Sequence, residues 1–247
     1  MSAEQPPVEI LPCPKRIRVV FAGQVIADSR NTLLLRGKRR LPVYYFPRKD
    51  VKPEHLHTTS TTTDHELGGR TEHFALAAGD RRVEDGAWSF PEPAHPVLAP
   101  LADRIAFVWK AADAWFEEDE EVFVHARDPH VRIDTVQSSA HIQVVIDGVV
   151  VADSRRPIML VETNHAVRWY LPEDDVRMEL LTFSPMTTRC PYKGVASYWS
   201  ATVNGRTYEN IAWQYRDPIP EIPKIKGLIS FYTEKVEAVL KDGERVG

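Results

Sequence analysis

The chain has 247 residues, 43% of them hydrophobic and 27% charged, with acids and bases interleaved to a formal net charge of −4. That composition belongs to a folded globular protein of one or two domains, and without a basic stripe it argues against a nucleic-acid partner. No apolar run approaches the roughly 20 residues that cross a bilayer, and the polar, proline-bearing start has no signal-peptide core. The expectation is therefore a cytoplasmic protein with no membrane partner. Two cysteines, Cys13 and Cys190, far apart and outside any Cys-x-x-Cys pair, predict free thiols in a reducing compartment, with no cofactor and no structural zinc.

Nineteen prolines against twelve glycines predict many turns and short elements. Residues 1–14 read as a tail. Arg18 to Ile26 is a β-rich run bent at Ala22-Gly23, followed by strands at Leu33-Leu34-Leu35 and Val43 to Phe46. Thr58 to Asp64 reads as a solvated loop among His55, His57, His65, Glu66 and His73, whose spacing matches no standard metal site. The acidic run Glu117 to Glu121 reads as a solvated turn. Residues 125–140, with Pro129 and the alternating Val131-Arg132-Ile133-Asp134, form an extended strap. A second hairpin follows over Gln143 to Val151, bent at Asp147-Gly148, a strong turn pair. Further strands fall at Ile158 to Val161, Val167 to Leu171, Ser197 to Val203 with a turn at Asn204-Gly205, and Tyr208 to Tyr215. The stretch from Ile225 to Val236 fits both periods and is read as a strand followed by a helical turn.

An internal repeat organises these elements. The Ala-Asp-Ser-Arg run is identical at 27–30 and 152–155, and Asp50-Val51 answers Asp175-Val176. Ala87-Trp88 answers Ala212-Trp213, Ile105 and Phe107 answer Ile229 and Phe231, and Glu120 and Val122 answer Glu244 and Val246. Thr61-Thr62 and Gly68 fall opposite Thr187-Thr188 and Gly194, which sets Asp64 against Cys190 and Leu67 against Lys193. The predicted organisation is a tail (1–14), a first β domain (15–124), a strap (125–140) and a second β domain (141–247). Six or seven short antiparallel strands per copy, with little helix, predict a mainly β sandwich or barrel. The two copies are expected to form an intrachain pseudo-dimer within a monomer.

With these residues in view, the chain resembles the bacterial family catalogued as domain of unknown function 427. The resemblance runs once per copy, through Ala-Asp-Ser-Arg, Glu162-Thr163, Val167-Arg168-Trp169-Tyr170, the Trp115-Phe116-Glu117-Glu118-Asp119-Glu120 stretch and, most specifically, Thr188-Arg189-Cys190-Pro191-Tyr192-Lys193-Gly194. It implies a β-tent type fold, shared with methionine-R-sulfoxide reductases, glutathione-dependent formaldehyde-activating enzymes and the thalidomide-binding domain of cereblon. Many of those hold zinc with two Cys-x-x-Cys pairs, and this sequence has neither. The family has also been labelled nucleotidyltransferase-like, but no Gly-rich phosphate loop or Asp-x-Asp pair supports that chemistry here.

The candidate site lies in the second copy. Cys190 sits after Arg189 and before Lys193, and neighbouring cations favour the nucleophilic thiolate; the alternative is a small buried hydrophobe. Lys193, before Gly194 in a turn, reads as an anion-binding or imine-forming amine, or as a solvated turn lysine. Glu162 supplies acid–base capacity with His165, or ties strands together with Arg155. Arg168, Trp169, Tyr170, Thr188, Tyr198 and Trp213 are candidate ligand-binding residues, with Trp199 and Tyr215 completing an aromatic set whose other reading is core packing. Trp88 repeats Trp213 and reads as a support of the fold. The expected function is binding of a small molecule in a polar-aromatic cleft of the second copy. Catalysis by Cys190 or Lys193 on a carbonyl or acyl compound is one reading, and a non-catalytic sensing module is the other.

Overall fold

In the computed structural model, residues 8–37, 40–64, 69–93 and 95–246 are described. The chain divides into two compact units, with the boundary between Asp128 and Pro129. The first unit holds β1 (Val8–Pro12), β2 (Ile17–Phe21), β3 (Gln24–Ser29), β4 (Leu33–Gly37), β5 (Val43–Pro47), β6 (Leu56–Asp64), β7 (Arg70–Ala78), β8 (Arg81–Glu92), β9 (Arg104–Phe107), β10 (Ala114–Glu117) and β11 (Glu120–Val122). They form a seven-stranded sheet, β1-β4-β5-β9-β8-β7-β6, and a four-stranded sheet, β11-β10-β2-β3.

The second unit repeats this order. It holds β12 (Ile133–Gln137), β13 (Ile142–Ile146), β14 (Val149–Ser154), β15 (Ile158–Glu162), β16 (Arg168–Leu171), β17 (Leu181–Cys190), β18 (Gly194–Val203), β19 (Arg206–Pro218), β20 (Ile229–Phe231), β21 (Ala238–Lys241) and β22 (Glu244–Arg245). The sheets are β12-β15-β16-β20-β19-β18-β17 and β14-β13-β21-β22. Among the described residues all strand pairings are antiparallel, and helix is confined to short 3-10 turns. The fold is mainly β, as the strand patterning predicts. None of the helices among the described residues is long and apolar enough to cross a membrane.

Local chemistry explains the repeat. Ala22-Gly23 and Asp147-Gly148 turn their hairpins with φ near +50° then +72° (48° and 71°; 50° and 73°), the left-handed pair that a two-residue turn requires. The shared Ala-Asp-Ser-Arg run is a fastening. Ala27 bridges Val51 and Ala152 bridges Val176, while Ser29 Oγ donates to Asp50 at 2.6 Å and Ser154 Oγ to Asp175 at 2.7 Å. Both serine oxygens also accept the backbone N–H two residues on.

Each large sheet contributes to a hydrophobic core on both of its faces. Its inner face packs against the small sheet: Ile17, Val19 and Phe21 meet Phe46, Ile105 and Phe107 in the first unit, and Ile142, Val144 and Ile146 meet Leu171, Ile229 and Phe231 in the second. Its outer face is roofed by a 3-10 segment. Leu98 and Leu101 cover Tyr45 and Phe90 in the first unit, and Ile222 and Ile225 cover Tyr170 and Tyr215 in the second.

Several sequence expectations are corrected. Val8–Pro12, inside the expected tail, and Ile133–Gln137, inside the expected strap, are edge strands paired with β4 and β15; five residues with two or three apolar positions are too short a pattern to distinguish an edge strand from a linker. Among the described residues each unit has eleven strands, not six or seven. Thr58 to Asp64 is not a loop but most of edge strand β6, paired with β7; His65, Glu66, Leu67 and Gly68 lie outside the described residues. The acidic run is not wholly solvated, because Glu117 is buried, accepting bonds from the Lys15 ammonium at 2.5 Å and the Tyr44 hydroxyl at 2.8 Å. The 225–236 stretch is a strand followed by a turn in which Val236 N–H reaches Tyr232 C=O. The sheet register also moves the alignment of copies by one residue. Thr63 pairs with Thr71 as Thr188 pairs with Ala196, so Asp64 corresponds to Arg189, not Cys190. Bulges in both hairpins make this shift invisible to linear matching.

Candidate functional site

The outer face of the second unit's large sheet gathers most of the predicted residues. Side chains alternate along a strand, so in β16 Arg168 and Tyr170 share this face, while Trp169 points to the inner core and packs there. Trp169 therefore lies apart from the outer face that gathers the other candidates. From β18 and β19 come Tyr198, Trp213 and Tyr215. From β17, Thr188 reaches this face through its hydroxyl bond with the Tyr198 hydroxyl at 2.9 Å, and Cys190, two residues on, shares it. Trp199 lies on the other face, against Phe183.

The polar end of the face is the Glu162–Lys193 pair. Lys193 Nζ donates to Glu162 Oε2 at 2.5 Å, and the two side chains are only 11% and 9% exposed. Glu162 closes β15. Lys193 sits in the turn between β17 and β18, held by its N–H to Cys190 C=O and by Ile219 N–H to its own C=O. Gly194, at φ +103°, makes that turn; a side chain there would be strained and would crowd the Asp217 carbonyl at 3.3 Å. The expected Arg155–Glu162 tie is absent: Arg155 instead reaches His141. His165 contributes its backbone N–H to Glu162 C=O.

Hydroxyls and rings fill the remainder. Trp213 Nε1 donates to the Tyr170 hydroxyl at 3.1 Å, and the Tyr198 and Tyr232 hydroxyls lie 3.3 Å apart. Arg168 clamps Glu234 through two bonds at 2.8 and 2.9 Å, donates to Thr233, and lies over the Trp213 and Tyr232 rings. Hydrogen bonding to Glu234 raises its pKa further. Burial pushes the phenols of Tyr170, Tyr215 and Tyr232 well above their ordinary range, so these hydroxyls stay neutral donors. Ser230, from β20, is fully buried with a hydroxyl that has no partner.

Sequence reasoning missed Tyr232, Glu234 and Ser230. Tyr232 and Glu234 sit in the stretch whose period was ambiguous, and a serine within Ile229–Phe231 carries no signal of its own. Two clefts are notable: one, of 430 Å³, lies in the first unit, over Tyr45 and Trp88. The other, of 570 Å³, lies in the second unit beside Phe183, Met186 and Asn210, away from the Glu162–Lys193 pair. Among the described residues no group of three His, Cys, Asp or Glu is placed to hold a metal ion. His55 instead bonds Ala77 C=O, and His73 the Thr63 and Thr71 hydroxyls.

The first unit is an internal control for this face. At the positions of Glu162, Arg168 and Tyr198 it carries Gly37, Val43 and His73, by the shared registers with β1/β12, β4/β15 and β8/β19. It folds into the same two sheets without the polar set.

No curated protein matches the chain. The family model described as a domain of unknown function, DUF427, matches twice, over residues 9–118 and 134–242, and its two segments each begin within the edge strand that opens a unit. The chain is a tandem-duplicated member of the DUF427 family.

Proposed function

We propose that the outer face of the second unit's large sheet binds a small, uncharged carbonyl or acyl compound. The observation that carries this reading is the buried Glu162–Lys193 pair, set where the first unit manages with Gly37. A buried ion pair costs desolvation and seldom stabilises a fold relative to apolar residues. A pair that the twin fold does without therefore has another use. The nearby groups indicate which. Lys193 and Arg168 are already matched by Glu162 and Glu234, so the face has little net charge to offer an ion. The neutral phenols of Tyr170 and Tyr232, the Tyr198 hydroxyl and the buried Ser230 hydroxyl suit a carbonyl oxygen. Lys193, held by Glu162, serves as an ammonium that positions a ligand rather than as an amine that attacks it, and Cys190 is the nucleophile available if a covalent step follows.

The test is saturation-transfer NMR with millimolar small amides, esters and aldehydes, paired with mass spectrometry of Cys190 in a Cys13→Ser background. Compounds that bind the parent and lose binding in Tyr198→Phe and in Glu162→Gln/Lys193→Met support the reading. Binding unchanged in both variants refutes it. A carbonyl adduct on Cys190 assigns a covalent step; binding without one leaves a sensing module.

A further inference from the structure

We propose that the first unit carries a second binding site of different chemistry, in which the cleft over Trp88 takes a neutral, planar heteroaromatic molecule. The cleft measures 430 Å³, with Leu35, Val43, Tyr45 and Trp88 among its walls. That volume lies in the range of small-ligand sites, roughly 300–1,000 Å³.

The two units show how the cleft arises. Trp88 and Trp213 occupy the same register position, opposite Ala106 and Ser230, and each donates its Nε1 hydrogen to the matching tyrosine, Tyr45 or Tyr170. In the second unit the tryptophan ring is covered: the Tyr232 ring lies 4.5 Å away, centroid to centroid, and the Arg168 guanidinium 5.5 Å away. The first unit has Val43 and Val108 at those positions, and Val108 is 40% exposed. Two valines in place of a tyrosine and an arginine leave space beside the indole. The groups that fill that space in the second unit, a flat ring and a flat guanidinium, define the shape of the guest.

The cleft's other wall sets its polarity. His73 Nε2 lies 3.0 Å from the Thr63 hydroxyl and 3.2 Å from the Thr71 hydroxyl. Imidazole and hydroxyl groups each donate and accept, so this wall matches a guest edge bearing both kinds of group. The charges select against an ion. Arg36 is held by Glu9 and Asp128, each at 2.8 Å, while Arg40 and Asp64 oppose one another in sign on the same lining. The second unit lacks this wall, having Tyr198 and Ala196 in place of His73 and Thr71. The duplication thus yields two sites that diverged: one filled with matched charges and phenols, the other opened over its tryptophan.

The test follows 19F NMR of the full chain labelled with 5-fluorotryptophan at its six tryptophans, with the Trp88 signal assigned by Trp88→Phe. Benzimidazole and quinolin-2-one are the probes. A saturable shift of the Trp88 signal is expected, with the Trp213 signal unmoved. Val43→Arg installs the second unit's own residue and should abolish the shift, and unchanged signals from the other tryptophans verify its fold. Thr71→Val should weaken binding about three- to tenfold through loss of one hydrogen bond. No saturable Trp88 shift up to probe solubility, or an equal shift in Val43→Arg, overturns the proposal. Movement of Trp213 alone likewise overturns it and reports on the second unit's site instead, so the two readings fail separately.

Discussion

Removing one member of the Glu162–Lys193 pair should destabilise the second unit far more than removing both. At 2.5 Å and about one-tenth exposure, the two charges attract by roughly 7 kcal/mol at an effective dielectric of about 20, and this attraction offsets the cost of taking both out of water. Glu162→Gln leaves the ammonium buried without its counter-charge, and the expected loss is about 3–5 kcal/mol. Glu162→Gln/Lys193→Met removes both charges and should cost no more than about 1 kcal/mol, because desolvation disappears together with the attraction. With an m-value of about 2 kcal/mol/M, the single variant should lower the urea midpoint by about 1.5–2.5 M. Hydrogen exchange of peptides from β15 to β18 assigns the change to this unit. If single and double variants agree within about 0.5 kcal/mol, the charges are not coupled and the reasoning from burial is wrong.

Three further outcomes follow from the packing. Ser230→Ala, which installs the residue of the first unit at Ala106, should be neutral or stabilise by up to about 1 kcal/mol in thermal melts, since it removes a buried hydroxyl without a partner. Gly86→Ala should cost about 1–3 kcal/mol by urea denaturation, because its Cβ would lie 2.8 Å from Leu76 Cγ and 3.3 Å from Ala111 Cβ in a buried strand. The Asp175 pKa lies below its ordinary 3.8, chiefly through its hydrogen bond from Arg156 and with help from Ser154. A depressed carboxylate contributes stability that is full above its unfolded pKa and lost as pH falls through the folded one. The urea midpoint should therefore drop as pH falls below about 4, and Asp175→Asn should flatten that drop.

Much of the architecture is legible in the residues. Ala22-Gly23, Asp147-Gly148 and Asn204-Gly205 announce their hairpins because left-handed turn geometry restricts which residues serve there. Ala-Asp-Ser-Arg and the distant Asp50 and Asp175 recur because one serine must meet one aspartate in each copy. β1 and β12 escape notice because five residues are too short a pattern to separate a strand from a linker, and β6 because its threonines are largely exposed. In the site, Glu162, Lys193, Cys190 and the tyrosines stand out by residue type. Their partners do not: Glu234 reaches Arg168 across 66 positions and Glu162 reaches Lys193 across 31.

The sequence alone determined that this is a duplicated β protein, because strand alternation, turn residues and repeated fastenings are local and leave a local record. Only the tertiary structure decided which side of each strand faces which neighbour. It turned Trp169 inward, paired Lys193 with Glu162 rather than leaving it solvated, and put a cleft over Trp88, which by sequence reads as a support of the fold. The physical reason is that a bulge of one residue reverses every side chain beyond it, and a cleft depends on the combined bulk of residues distant in the chain, here Val43 and Val108 against Arg168 and Tyr232. Those combinations exist only when the sheet assembles.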